Sequence, residues 1–184
     1  SNVRLNKVKA ALKEGSPRYV ALVQSILTFA TAQDWDGNTI FDFIRKNLPG
    51  TVTILTGSHA TNYPGRAVEN GTCNYSLKGE VDHSLPYLIE LLEAGSPDLS
   101  SVPGLSYKSA NEVVNDQRYP STEIATLPIP AYEILDETHI QGYESTVERG
   151  KIRYPERSRK YRDIMTSKSC TLRCSFCSVA HFRG

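Results

Sequence analysis

The sequence has almost no net charge: 21 Lys and Arg stand against 20 Asp and Glu, for a formal +1. No global field would draw such a chain to nucleic acid or to an anionic membrane, so neither is an expected partner. A long hydrophobic run is also missing. The longest apolar stretch, Tyr19 to Ala32, is broken by Gln24, Ser25 and Thr28 and is too short to span a bilayer. Cysteine is scarce and unevenly placed. Of the four, three fall at Cys170, Cys174 and Cys177, and Cys73 stands alone. A secreted disulfide framework distributes its cysteines along the chain, so this clustering argues against that class. It points instead to a metal site in a reducing compartment, with a cytoplasmic location as the expectation. Internal repeats and low-complexity tracts are both lacking.

What is present is ordinary globular composition, 39% hydrophobic and 22% charged, enough for one domain or parts of two. Leu5, Val8 and Leu12 recur at helical spacing over residues 3–14, and Gly15-Ser16-Pro17 stops that helix. Arg18 to Leu27 is a β-rich apolar run of the kind found in buried parallel strands. A second helix is predicted from Gly37-Asn38 to Leu48, ended by Pro49-Gly50, with Ile40, Phe41, Ile44 and Leu48 inward. Thr51 to Thr56 reads as the next strand and feeds a loop, Gly57-Ser58-His59-Ala60-Thr61. A short helix at Pro64 to Asn70, a short strand at Cys73 to Leu77 and an amphipathic helix at Asp82 to Ala94 follow. Alternating strands and helices imply a parallel sheet with right-handed crossovers.

The character of the chain changes over residues 96–160. Val102 to Tyr107 and Glu112 to Val114 are compatible with a small hairpin. The two prolines of Leu127-Pro128-Ile129-Pro130-Ala131 forbid helix and central strand, which leaves an extended linker. Asp163 to Thr166 reads as a short strand leading into the cysteine loop. The organisation read from the sequence is therefore α/β. A partial Rossmann-like parallel sheet flanked by helices covers 1–98, a linker with a hairpin covers 99–160, and a final segment over 161–184 carries the cysteines.

The cysteine spacing is Cys170-x3-Cys174-x2-Cys177. Three thiolates on one short loop can hold three corners of a cubane iron–sulfur cluster and leave one iron open to a substrate or cofactor. The alternative is zinc, with His181 or Cys73 completing a tetrahedron. Zinc sites usually come as two ligand pairs, and this arrangement does not.

The run MTSKSCTLRCSFCSVAHFRG, with aromatic Phe176 just before the last cysteine, resembles the signature of the radical S-adenosylmethionine superfamily. That resemblance implies a 4Fe-4S cluster on Cys170, Cys174 and Cys177, at the start of a (β/α) barrel. The open iron would chelate the amino and carboxylate groups of S-adenosylmethionine, and Phe176 would pack near the adenine. One electron, from a donor such as flavodoxin or ferredoxin, would cleave the carbon–sulfur bond and release a 5′-deoxyadenosyl radical. Upstream segments resemble the subgroup that places a cobalamin-binding domain before the barrel. Ser25-Ile26-Leu27 resembles its Ser-x-Leu motif, and Gly57-Ser58-His59-Ala60-Thr61 its Gly-Gly-x-His-x-Thr loop, with Ser58 in place of the second glycine. Gly79-Glu80 resembles the Gly-Glu before its last helix, and Leu127 to Ala131 the Leu-Pro-x-Pro-Ala linker. The resemblance implies cobalamin contacts at Ser25, Leu27, Gly57, Ser58, His59, Gly79 and Glu80.

Three functions follow as expectations. One is a cobalamin-dependent radical methyltransferase acting on a small-molecule substrate. Another is a cobalamin-independent radical enzyme, cyclase or methylthiotransferase-like, although Cys73 alone cannot supply the extra cluster cysteines of the latter. The remaining one is a non-enzymatic zinc- or cofactor-binding module. Gly184 follows Cys177 by only seven residues, and a complete barrel needs roughly 200, so the expectation is that this sequence is a piece of a longer protein. This polypeptide alone, given reductant and S-adenosylmethionine, should form no 5′-deoxyadenosine. Chromatographic detection of that nucleoside would contradict the expectation.

Overall fold

The computed structural model describes residues 2–23, 40–95, 98–120, 123–131, 172 and 174–176. Helix α1, Asn2–Gly15, runs into strand β1, Tyr19–Val23. Helix α2, Ile40–Asn47, precedes strand β2, Val52–Thr56. Two short helices, α3 at Ser58–Asn62 and α4 at Arg66–Glu69, lead to strand β3, Tyr75–Leu77. Helix α5, Ser84–Glu93, is followed by strands β4, Leu105–Ser109, and β5, Glu112–Asn115.

The five strands form one sheet in the order β1-β2-β3-β4-β5. The first three are parallel, with Tyr19 beside Val52, Val23 beside Thr56, and Leu55 beside Ser76. Strand β4 then runs antiparallel to β3, with Leu77 opposite Leu105, and β5 antiparallel to β4. The helical and β-branched runs of the sequence therefore produce the expected α/β sheet. The segment read as a loop at 57–61 is instead a helical turn. The hairpin read within the linker is hydrogen-bonded to β3 as the fourth and fifth strands.

Strand alternation sends side chains to two faces, and each face has its own core. On one, Leu55 packs with Phe41 and Ile44 of α2, Ala60 of α3, and Ala67 and Val68 of α4, with Cys73 among them. On the other, Ile54, Leu77 and Leu105 meet Leu88 of α5 together with Leu99 and Val102. Helix α5 presents Leu85, Leu88, Leu91 and Leu92 at helical spacing, and its Pro86 sits in the first turn, where a missing N–H costs little. Burial raises the Cys73 thiol to about 12, so it is a packing residue and not a nucleophile at neutral pH.

The chain divides into two compact units, and the second begins at Glu123. Its described part is a 3₁₀ turn, Ile124–Thr126, and the extended stretch through Ala131, where Ile129 is 87% exposed. No helix among the described residues is long and apolar enough to cross a membrane.

Leu88 is fully buried. Leu88→Ala should cost about 2–5 kcal/mol in urea-induced unfolding, through lost transfer energy and the cavity left behind.

Candidate functional site

In open α/β sheets ligands bind beyond the carboxyl ends of the parallel strands. Here that edge is formed by the residues after Val23, Thr56 and Leu77. Ser25 and Leu27 follow β1 and lie outside the described residues. The segments after β2 and β3 are described and meet.

Strand β2 ends at buried Thr56, and the chain turns at Gly57 with φ 95° and ψ −168°. Only glycine adopts this conformation without strain. Helix α3 starts at once. The Thr61 N–H donates to the Gly57 carbonyl at 3.0 Å, and the Thr61 hydroxyl donates to the same oxygen at 2.9 Å. The Asn62 amide donates to the Ser58 carbonyl at 2.7 Å. Gly57 and Ser58 are half-buried, whereas His59 is only 4% exposed. Its ring lies 5.3 Å from that of Tyr63, which in turn carries the Arg66 guanidinium 5.7 Å above its ring. Burial, then the charge of Arg66, hold the His59 imidazole below its ordinary value, so it is neutral at pH 7.

Strand β3 ends at Leu77 and continues into Lys78, Gly79 and Glu80. The Gly79 N–H donates to the Thr61 hydroxyl at 2.9 Å, joining this segment to the loop after β2. Gly79 has φ +73°, and a Cβ there would lie 3.0 Å from Pro120 and Tyr119. The segment 116–120 therefore crosses the end of β3. It is held by Asp116, whose backbone N–H donates to the Leu105 carbonyl at 2.9 Å, and by Arg118, which ion-pairs with Asp116 and donates to the Ser100 carbonyl at 2.5 Å. Lys78 is 7% exposed. Desolvation lowers its pKa, opposed by the charge of Asp116.

Sequence patterning thus brings Gly57, Ser58, His59, Gly79 and Glu80 to one edge. Lys78 and the crossing segment 116–120 carry no spacing signal, and the role of Thr61 as a link is visible only in three dimensions. His83, at the start of α5, is exposed, and Glu80 is half-buried. Of the cysteine loop, Cys174 is half-buried and Phe176 is 90% exposed, while Cys170 and Cys177 lie outside the described residues. No group of three His, Cys, Asp or Glu side chains placed to hold a metal occurs among the described residues. A cavity of about 410 Å³ opens at the opposite edge of the sheet, lined by Thr51, Thr53, Asn74, Tyr75, Arg45 and Lys108 among others. None of Gly57, Ser58, His59, Gly79 and Glu80 lines it.

No protein-family profile matches the chain. An uncharacterized methyltransferase of Pyrococcus horikoshii is 25% identical over 156 residues, an alignment that covers 83% of this chain and 30% of that protein. The chain thus spans under a third of the curated relative it matches. Among solved structures, the radical S-adenosylmethionine methyltransferase TsrM from Kitasatospora setae, with tryptophan substrate and a SAM analogue bound, is 20% identical. The match covers 73% of this chain and 26% of that one, with a TM-score of 0.47. The same enzyme with cobalamin and a 4Fe-4S cluster bound is 17% identical over 68% of this chain and 24% of that one, with a TM-score of 0.45.

The lowered pKa of His59 makes stability depend on pH with a fixed sign. The unfolded chain takes up a proton near the ordinary value of 6.5 and the folded chain only lower. Stability is therefore complete above about pH 6.5 and falls as pH drops through the interval below it. Thermal melts from about pH 8 to about pH 5 should show this loss in the parent chain and a smaller one in His59→Gln.

Proposed function

We propose that this chain is the cofactor-domain and cluster-loop portion of a cobalamin-dependent radical S-adenosylmethionine enzyme that transfers a methyl group to carbon in a small-molecule substrate. The observation that carries the reading is the spacing Cys170-x3-Cys174-x2-Cys177. Three thiolates and no fourth cysteine nearby suit a cluster with one open iron. A methyltransferase as a 25%-identical relative supports the reaction class.

The residues at the sheet edge fit a flat, bulky cofactor. Gly57 turns away from β2 without a side chain, which permits close backbone approach, and Ser58 next to it offers a half-buried hydroxyl. His59 is buried against Tyr63 and serves to pack the turn. In this reading Ser25, Leu27, Gly57 and Ser58 line the cofactor, and Gly79 and Glu80 close the end of β3. Cys170, Cys174 and Cys177 hold the cluster, and Phe176 covers the adenine of S-adenosylmethionine. When bound, the cluster supplies the electron that cleaves S-adenosylmethionine and cobalamin supplies the methyl group; a flavodoxin or ferredoxin is the fitting electron donor.

A cobalamin-free radical enzyme is the second reading. It is favoured by Gly79, which lies under Pro120 and Tyr119 and so has a packing reason to be glycine.

The test is the metal content of the full-length protein after anaerobic reconstitution with iron, sulfide and hydroxocobalamin. About four irons and about one cobalt per chain are expected, with Cys174→Ala losing most of the iron. Iron without cobalt supports the second reading, and zinc alone contradicts both.

A further inference from the structure

The loops that follow β2 and β3 leave the sheet separately, and one side-chain hydroxyl joins them. Thr61 lies in α3, four residues beyond Gly57. Its hydroxyl donates to the Gly57 carbonyl at 2.9 Å and accepts from the Gly79 N–H at 2.9 Å. The first bond is ordinary for threonine in a helical turn, where the hydroxyl reaches back four residues. The second is not local: it spans 18 residues and ties two neighbouring strand ends. Each end is otherwise shaped by a glycine in the left-handed half of backbone space, Gly57 at φ 95° and Gly79 at φ +73°. Glycine at such positions supplies conformational freedom and no means of fixing one conformation. The Thr61 hydroxyl supplies the fixing. The Gly57 carbonyl, held by both the N–H and the hydroxyl of Thr61, has a set direction, and Gly79 is clamped between Thr61 and Pro120.

We propose that Thr61 is a positioning residue for cofactor binding, whose hydroxyl holds the Gly57 turn and the Gly79 turn in the one mutual arrangement that accepts the cofactor. This inference rests on the cobalamin reading of the same edge. Thr61 is half-buried and acts through the two glycines, so it is not a catalytic residue. Valine has nearly the shape of threonine but offers neither donor nor acceptor. It leaves the Gly79 N–H without its partner and the Gly57 carbonyl with only the backbone bond from position 61.

The experiment titrates the full-length protein, loaded with its cluster, with hydroxocobalamin and follows the corrin absorption. Thr61→Val and Thr61→Ala should bind about tenfold more weakly, the loss expected for unpaired, partly buried polar groups. Both should keep their iron content and a single cooperative melt. Thr61→Ser keeps the hydroxyl and should bind within about threefold of the parent. If Thr61→Val fails to fold, Thr61→Ala and Thr61→Ser carry the comparison. A parent protein that binds cobalamin while a folded Thr61→Val or Thr61→Ala binds equally well overturns the role of Thr61 alone. A parent protein that binds iron and no cobalamin overturns the reading of the edge on which it rests.

Discussion

Strand β2 is enclosed on both faces, and the rest of the sheet is arranged around that enclosure. Ile54 belongs to one core and Leu55 to the other, at 0% and 3% exposure. A strand buried on both sides cannot shift register by one residue without exchanging its two faces. Its register with β1 and β3 is therefore fixed, and so is the point at which the chain leaves the sheet. That exit is Gly57. Helices α2, α3 and α4 cover one face and α5 the other, which leaves the carboxyl ends of β2 and β3 as an edge: Gly57 turns there without a side chain, and Tyr119 and Pro120 pack over Gly79.

At that edge, charge and polarity are handled both by burial and by an ion pair. His59 is neutral because it is desolvated and lies near Arg66. Lys78 is buried with Asp116 as the opposing charge, and Asp116 is engaged by Arg118. The polar contacts that shape the surface include Thr61 to Gly57, Gly79 to Thr61, and Arg118 to Ser100. Such an edge is preorganised, which lowers the ordering cost that a ligand must meet on binding.

Much of this architecture is legible in the sequence because periodicity carries it. The β-branched run at Val52–Thr56 and the leucine spacing of α5 each specify one element; the cysteine triplet is read from its spacing alone, and Cys170 and Cys177 lie outside the described residues. Other features depend on partners distant in sequence. Leu105 and Ser106 look like part of a Pro- and Gly-bounded linker until they pair with Leu77 and Ser76, and only then do β4 and β5 join the sheet. His59 and Ala60 read as loop residues, yet both are buried, because the turn closes as helix α3 against the face that holds Leu55. Cys73 stands alone in sequence and proves to be a core residue beside Phe41 and Ile44. Gly79 matches a cofactor-loop pattern, but the packing of Tyr119 and Pro120 over it has no local signal.

The central claim is that Cys170, Cys174 and Cys177 hold a cluster with one iron left open for S-adenosylmethionine. Electron paramagnetic resonance of the anaerobically reduced full-length protein tests it most directly. A reduced 4Fe-4S signal whose shape changes when S-adenosylmethionine is added is the result this account predicts. A signal indifferent to S-adenosylmethionine, or no cluster signal from a protein that carries zinc, would contradict it.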